Sequence, residues 1–296
     1  MQNKFLSFIS SLPGRAKASL VVITMFAAAA LWGEASAARA RILDVEPSYN
    51  RVDTAHRYLP PLSRFADGSG ATRVAMMGTD NLGRDVLSRL VQGARIAFHV
   101  GIVTSLITVP FGALLGILAG CRGGKTDAVC SWLAATIAAI PALLLILAIA
   151  LVVGKGLAGV YVGISVTTWV GVFRTVRGES MKHWGMGYVQ AAKALGYSEA
   201  RIMFLHVLPN VAHVMIVAFS LRFPAAVGTE VFMGFLGIGA QSEPSWGVMI
   251  NNARVRLWQG MWWEGTFVTL ALFALVLAFN QLGDALRDRL DPTIQH

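Results

Sequence analysis

The chain has 296 residues, 55% of them hydrophobic and only 14% charged, with a mean hydropathy of +0.59. An average soluble domain is about 25% charged, so the composition excludes a water-soluble domain and points to an all-α integral membrane protein built as one unit. The formal charge of +9 does not indicate nucleic acid, because Lys and Arg lie scattered between apolar runs with no basic, aromatic-interleaved stripe.

Six segments approach the roughly 20 apolar residues a bilayer helix needs: about 17–38, 96–120, 128–153, 157–175, 208–230 and 264–282. An even number puts both termini on one side. Lys4, Arg15, Lys17, Arg122, Lys125, Arg174, Arg177, Lys182, Lys193, Arg201, Arg287 and Arg289 then fall inside, whereas the short outer loops hold Lys155, Arg254 and Arg256. That asymmetry places the N- and C-termini in the cytoplasm.

The first segment follows basic residues and ends in Glu34-Ala-Ser-Ala-Ala38, which resembles a cleavable signal. Five later spans already commit the chain to the membrane and cleavage would leave an odd number, so an uncleaved anchor is expected. Residues 1–95 thus form an anchor helix and an outer loop, and 96–296 a core of five spans with a cytoplasmic loop at about 178–209. The outer loop contains Pro60, Pro61 and an Asp67-Gly-Ser-Gly70 turn. GTDNLGRDVLSRLVQGARIAF follows from Gly78, its latter half reading as an amphipathic helix that feeds the second span.

In the second span Gly112, Gly116 and Gly120 fall four apart on one helical face, where another helix can approach closely. Packing inside the subunit is the simpler reading, a dimer seam the other. Cys121 and Cys130 flank a short cytoplasmic loop at a spacing that matches no zinc pattern. Gly124-Lys125-Thr126 supplies half of a phosphate-binding loop, but Ala119 stands where its first glycine belongs and helices rather than a strand flank it. No metal or nucleotide site is expected, and no catalytic constellation. Pro141 lies inside the third span and predicts a kink.

The stretch YVQAAKALGYSEARIMFLHVLPN, Tyr188 to Asn210, spans nothing. Tyr188–Leu195 predicts a short helix, Gly196 a left-handed stop and Ser198 the N-cap of the next helix. Ala191, Ala192 and Ala194 keep that helix low in profile while Tyr188 and Leu195 share a face, which suits insertion into a groove on a partner. In the fifth span Arg222 and Glu230 are charges at membrane depth, eight residues apart. They line a translocation path or anchor the bundle by hydrogen bonds. Farther on, Gln241 and Trp246 belong to an outer loop at about 237–263, whose Trp258, Trp262 and Trp263 read as interfacial anchors.

At Tyr188–Asn210 the sequence resembles the "EAA" motif of permease subunits of ABC importers. The resemblance covers nearly the whole chain and is specific to the C-type permeases of the dipeptide/oligopeptide branch. It extends to GTDNLGRDVLSRLVQGARIAF, to Trp169 with Arg174 and Arg177, to GTEVFMGFLGIGAQSEPSWGVMI and to the tail FNQLGDALRDRLDP. It implies a type I importer permease fold with a cytoplasmic coupling helix, in the bacterial inner membrane. Implied partners are a second homologous permease, two ATPase subunits that bind ATP and Mg, and a periplasmic or lipid-anchored binding protein that delivers a peptide. Tyr188, Gln190, Ala191, Ala192, Ala194, Leu195 and Gly196 would form the coupling helix and its turn, and Pro209 would mark the return to the membrane. Gln190 stands where the motif has glutamate, which removes a charge-assisted contact, and Met233-Gly234-Phe235-Leu236 departs from the branch, which has a serine before FLG.

Related permeases also serve nickel chelates, glutathione and antimicrobial peptides. An ion-coupled secondary transporter or a channel is the competing class, and it leaves the docking-type loop unexplained.

Overall fold

The computed structural model describes residues 13–66, 72–239, 241 and 243–290. The Asp67–Gly70 turn and the Asp291–Pro292 end of the tail motif lie outside them. Ten helices and one hairpin make up the described chain: α1 (Gly14–Ile42), β1 (Ser63–Ala66), β2 (Thr72–Ala75), α2 (Val86–Arg122), α3 (Gly124–Ala138), α4 (Ala142–Val153), α5 (Leu157–Trp184), α6 (Gly187–Ala194), α7 (Glu199–Ile202), α8 (Leu208–Phe235), α9 (Trp246–Arg256) and α10 (Trp263–Leu290). A π turn at Met203–Val207 joins α7 to α8 in one 37-residue rod.

Among the described residues, five helices are long and apolar enough to cross a membrane: α1, α2, α5, the α7–α8 rod and α10. The third expected span is not one helix. It divides into α3 and α4, which meet at 87°. Pro141 caps α4 with φ −54° and ψ 119°, so the ring that removes a backbone donor ends one helix and starts another instead of kinking a continuous one. Outside the spans, β1 and β2 pair antiparallel with Ser63 opposite Ala75, an outer hairpin that the prolines and glycines of the loop did not announce.

The second span also differs from expectation, because α2 begins at Val86, where the Asp85 side chain accepts from the Ser88 amide at 2.8 Å. Its first three turns are not an amphipathic surface helix. Arg89, Gln92 and Arg95 are all buried, and a buried cation must be paired. Arg89 lies 3.6 Å from Asp80, and Arg95 lies 3.0 Å from Glu34 and 3.7 Å from Glu243. Gln92 donates to the Gly33 carbonyl at 3.0 Å. The small-residue end of α1 is thereby packed against α2, with Ala37 and Ala40 buried.

The most extensive helix contact is α2 against α5. A β-carbon at Gly112 would lie 2.7 Å from the Trp169 carbonyl, and one at Gly120 would lie 2.6 Å from that of Arg177. At Gly116 it would lie 3.0 Å from both the Arg177 amide and the Phe173 carbonyl. The glycine face therefore serves packing within the subunit. Arg177 also grips Asp127 of α3, through Nη2 at 2.6 Å and through Nε, which fixes the start of the broken span to α5.

At the end of the bundle where α2 begins, indole donors act as ties. Trp246 donates to the Leu90 carbonyl at 3.0 Å and Trp263 to that of Thr79 at 3.1 Å. Trp263 is buried, so it is not the interfacial anchor expected of it, whereas Trp258 is 94% exposed. At the opposite end Ser19 of α1 donates to Gln281 of α10 at 2.8 Å. Gly120→Val should lower the melting temperature of the solubilised protein by about 3–10 °C, since overpacking costs about 1–3 kcal/mol. Gly178→Ala, which meets nothing within 4 Å, should leave a scanning-fluorimetry melt unchanged.

Candidate functional site

The loop after α5 is built from short-range rules. The Gly185 and Met186 amides bond back to Lys182 and His183, ending α5, and α6 begins at Gly187. Leu195 closes α6, and Gly196 turns the chain at φ +78°, a conformation that glycine adopts without strain. The Ser198 hydroxyl then accepts from the Arg201 amide at 3.4 Å, capping α7.

Two side chains pin α6 to the protein. Val189 and Ala192 are buried in a cluster with Ile117 and Cys121 of α2 and with Ile202, Met203 and Val207. Ala192 therefore faces the chain's own core and is not part of an outward knob. A helix of eight residues has one face to bury, and Val189, which the sequence reading did not single out, shares that face three residues earlier. Tyr188, Gln190, Ala191, Ala194, Leu195 and Gly196 remain exposed, with Leu195 exposed by 75%.

Polar contacts fix the helix at its flanks. Gln190 donates through Nε2 to the Trp184 carbonyl at 3.1 Å, covering an open end of α5. The Tyr188 phenol lies 2.9 Å from His183 Nδ1, and burial raises its pKa above the ordinary tyrosine value, so it stays neutral. Lys193 stands 4.1 Å over the Trp184 ring, Arg201 stands 4.4 Å over Tyr197, and Arg122 faces Glu199 at 3.7 Å. The result is a held platform presenting a small apolar surface with Leu195 at its tip.

Arg222 and Glu230 go to different places. Glu230 is 1% exposed with Ser245 as its polar neighbour, and its Oε1 has no hydrogen-bond partner. Arg222 is only partly buried and lies against the bare backbone of Gly171 on α5. It forms part of a cleft of about 460 Å³ between α5, α8 and α10, whose wall includes Val172, Val217 and Leu221 and whose end nearest α6 carries Glu179, Lys182, His213 and Arg287. The sequence showed a charge at depth in Arg222, but not the glycine opposite it.

Residues 112–296 match the family described as binding-protein-dependent transport system inner membrane component. The chain belongs to that family. It is 38% identical over 219 residues, 74% of its own length and 68% of the other's, to the dipeptide transport system permease protein DppC of Bacillus subtilis. The glutathione transport system permease protein GsiD of Pectobacterium atrosepticum is 36% identical, over 76% of this chain and 75% of that one. The oligopeptide transport system permease protein OppC of B. subtilis is 33% identical, over 74% and 72%. The chain is thus a permease subunit of an ABC importer and an inner-membrane protein, which operates with ATPase subunits and a substrate-binding protein.

Ala192→Glu should destabilise the protein by about 3 kcal/mol, because it leaves an unpaired charge in the core. Leu195→Ser should stay within about 0.5 kcal/mol, as surface changes do. Thermal melts of the two purified variants check the contrast.

Proposed function

We propose that this chain is one of two homologous permease subunits that together import di- or oligopeptides, with two ATPase subunits docked beneath them. Relatives named for dipeptide and oligopeptide transport support this substrate class, and the one named for glutathione is itself named for a peptide-like solute. A periplasmic or lipid-anchored binding protein delivers the cargo to the outer loops between α8 and α10. ATP and Mg are bound by the partner chains, and this chain performs no covalent chemistry. Both termini lie in the cytoplasm, on the side of α6.

The observation that carries the reading is the exposed face of α6, held from behind by Val189 and Ala192. A helix that presents Leu195 to a partner while its other face is locked into the bundle transmits displacement in both directions. Tyr188, Ala191, Ala194 and Leu195 dock in a groove of the ATPase. Gln190, bonded to the end of α5, keeps helix and span moving together in place of the charged contact that a glutamate would make. Closure of the ATPase pair around nucleotide then biases the permease between outward-open and inward-open forms. Arg222 lies on the pathway side, and Glu230 belongs to the packed support behind it.

Mild-detergent purification of the tagged chain from its native membrane should recover a second permease and ATPase subunits. Leu195→Asp should lower ATPase recovery at least about tenfold, the equivalent of 1.4 kcal/mol, with an unchanged melt. Gly196→Pro should abolish substrate-stimulated ATP hydrolysis, because proline cannot adopt φ +78°. Full ATPase recovery by Leu195→Asp would remove α6 as the docking element. A chain that moves solute under an ion gradient with no ATPase attached would replace the importer reading altogether.

A further inference from the structure

We propose that the cleft between α5, α8 and α10 is a binding site for the terminal carboxylate of the cargo peptide, with Arg222 as the recognising group. This rests on the peptide-importer reading above and adds a chemical selectivity to it.

Pairing is the first argument. Arg89, Arg95 and Arg177, which also project between helices, each have a carboxylate within 4 Å. Arg222 has no hydrogen bond or ion pair of its own among the described residues, nor has Arg287 at the mouth of the cleft. Lys182 adds a third cation, and Glu179, 3.4 Å from it, is the one carboxylate of the lining. The cleft therefore carries an excess of positive charge, and an unpaired guanidinium in a low-dielectric wall is costly until an anion reaches it.

Its seat is the second. The guanidinium lies on the backbone of Gly171, where a β-carbon would collide with Nη2. Glycine at this position leaves room for Nη2 against the α5 wall, with the other guanidinium donors unpaired and available to the cleft. A carboxylate fits that fork with two parallel hydrogen bonds.

Depth selects the source of the anion. Arg222 is seated against Gly171, eleven residues before Lys182 on α5, or about 16 Å along the axis at 1.5 Å per residue. A lipid phosphate held by Lys182 and Arg287 at the mouth of the cleft therefore stops short of Arg222. A cargo moving through the cleft reaches it. About 460 Å³ accommodates a small peptide, and the apolar wall of Val172, Val217 and Leu221 makes no demand on side-chain identity. A transporter that accepts many peptide sequences has to hold what all of them share, and the terminal carboxylate is such a group.

The test uses the assembled transporter with its binding protein in liposomes, and compares initial uptake of Ala-Ala with that of its C-terminal amide. The ratio of the two rates, taken for each permease variant with the same binding protein, isolates the permease's share of the selectivity. Arg222→Gln should lower the acid-to-amide ratio about tenfold relative to the unsubstituted complex, as the loss of a charge-assisted pair does. Gly171→Ala, which displaces the guanidinium without removing it, should move the ratio in the same direction. Both are measured on complexes that elute as intact assemblies. An unchanged ratio in both variants overturns the proposal. So does loss of copurifying anionic lipid in Arg222→Gln with the ratio unchanged, which would make the cleft a lipid site. An unsubstituted complex that imports neither compound sinks the peptide-importer reading instead.

Discussion

The backbone-to-backbone contact of α2 with α5 is the constraint on which the rest of the architecture depends. Between apolar helices in lipid there is little hydrophobic force to draw them together, so close approach and dispersion must supply the attraction. Gly112, Gly116 and Gly120 permit that approach over two turns of helix, and they fix α5 in depth as well as in rotation. What the α6 end of the molecule presents follows from where α5 ends. The Arg177 grip on Asp127, the Gly171 seat, and the Trp184 carbonyl that receives Gln190 all lie on this one helix.

Charge is distributed by a second rule that complements the first. Inside the outer half of the bundle, cations are neutralised locally. Arg95 meets Glu34 and Glu243, Arg89 meets Asp80, and Arg256 meets Glu264 at 3.7 Å. The pairs of Arg89 and Arg95 join α1, the loop before α2 and the segment before α9 to the start of α2, and that of Arg256 joins α9 to α10. At the other end Arg177 meets Asp127 and Arg122 meets Glu199, whereas Arg222 and Arg287 in the cleft have no carboxylate partner among the described residues.

Much of this was legible in the residues. Apolar runs located the spans, Gly196 and Ser198 marked the turn and the cap, and the spacing of the three glycines marked a close helix contact. What stayed hidden had a common physical origin. Periodicity shows which residues share a face but not which face turns inward, so Ala192 read as part of the knob although it joins Val189 in the core. The stretch before the second span read as an amphipathic helix because the carboxylate partners of its Arg95, Glu34 and Glu243, lie far away in sequence. The proline at 141 announced a distortion, but its size, 87°, depends on the neighbours of the broken pair. Gly171 carried no signal at all until the guanidinium opposite it was placed.

The single-piece character of α5 has a mechanical meaning. From Leu157 to Trp184 it is 28 residues without a break, a rod of about 42 Å at 1.5 Å per residue, whereas the helices before it are cut at Pro141. The α2 glycines meet α5 between Trp169 and Met181, so a rod pivoting there is a lever with a short arm toward Trp184 and a long arm toward Leu157. A tilt of about 5° about Thr175 carries the Trp184 end through about 1 Å and the Leu157 end through about 2 Å in the opposite sense. A small movement at the Trp184 end, to which α6 is tied, is then enlarged and reversed at the Leu157 end, while the seat of Arg222 near the fulcrum turns in place.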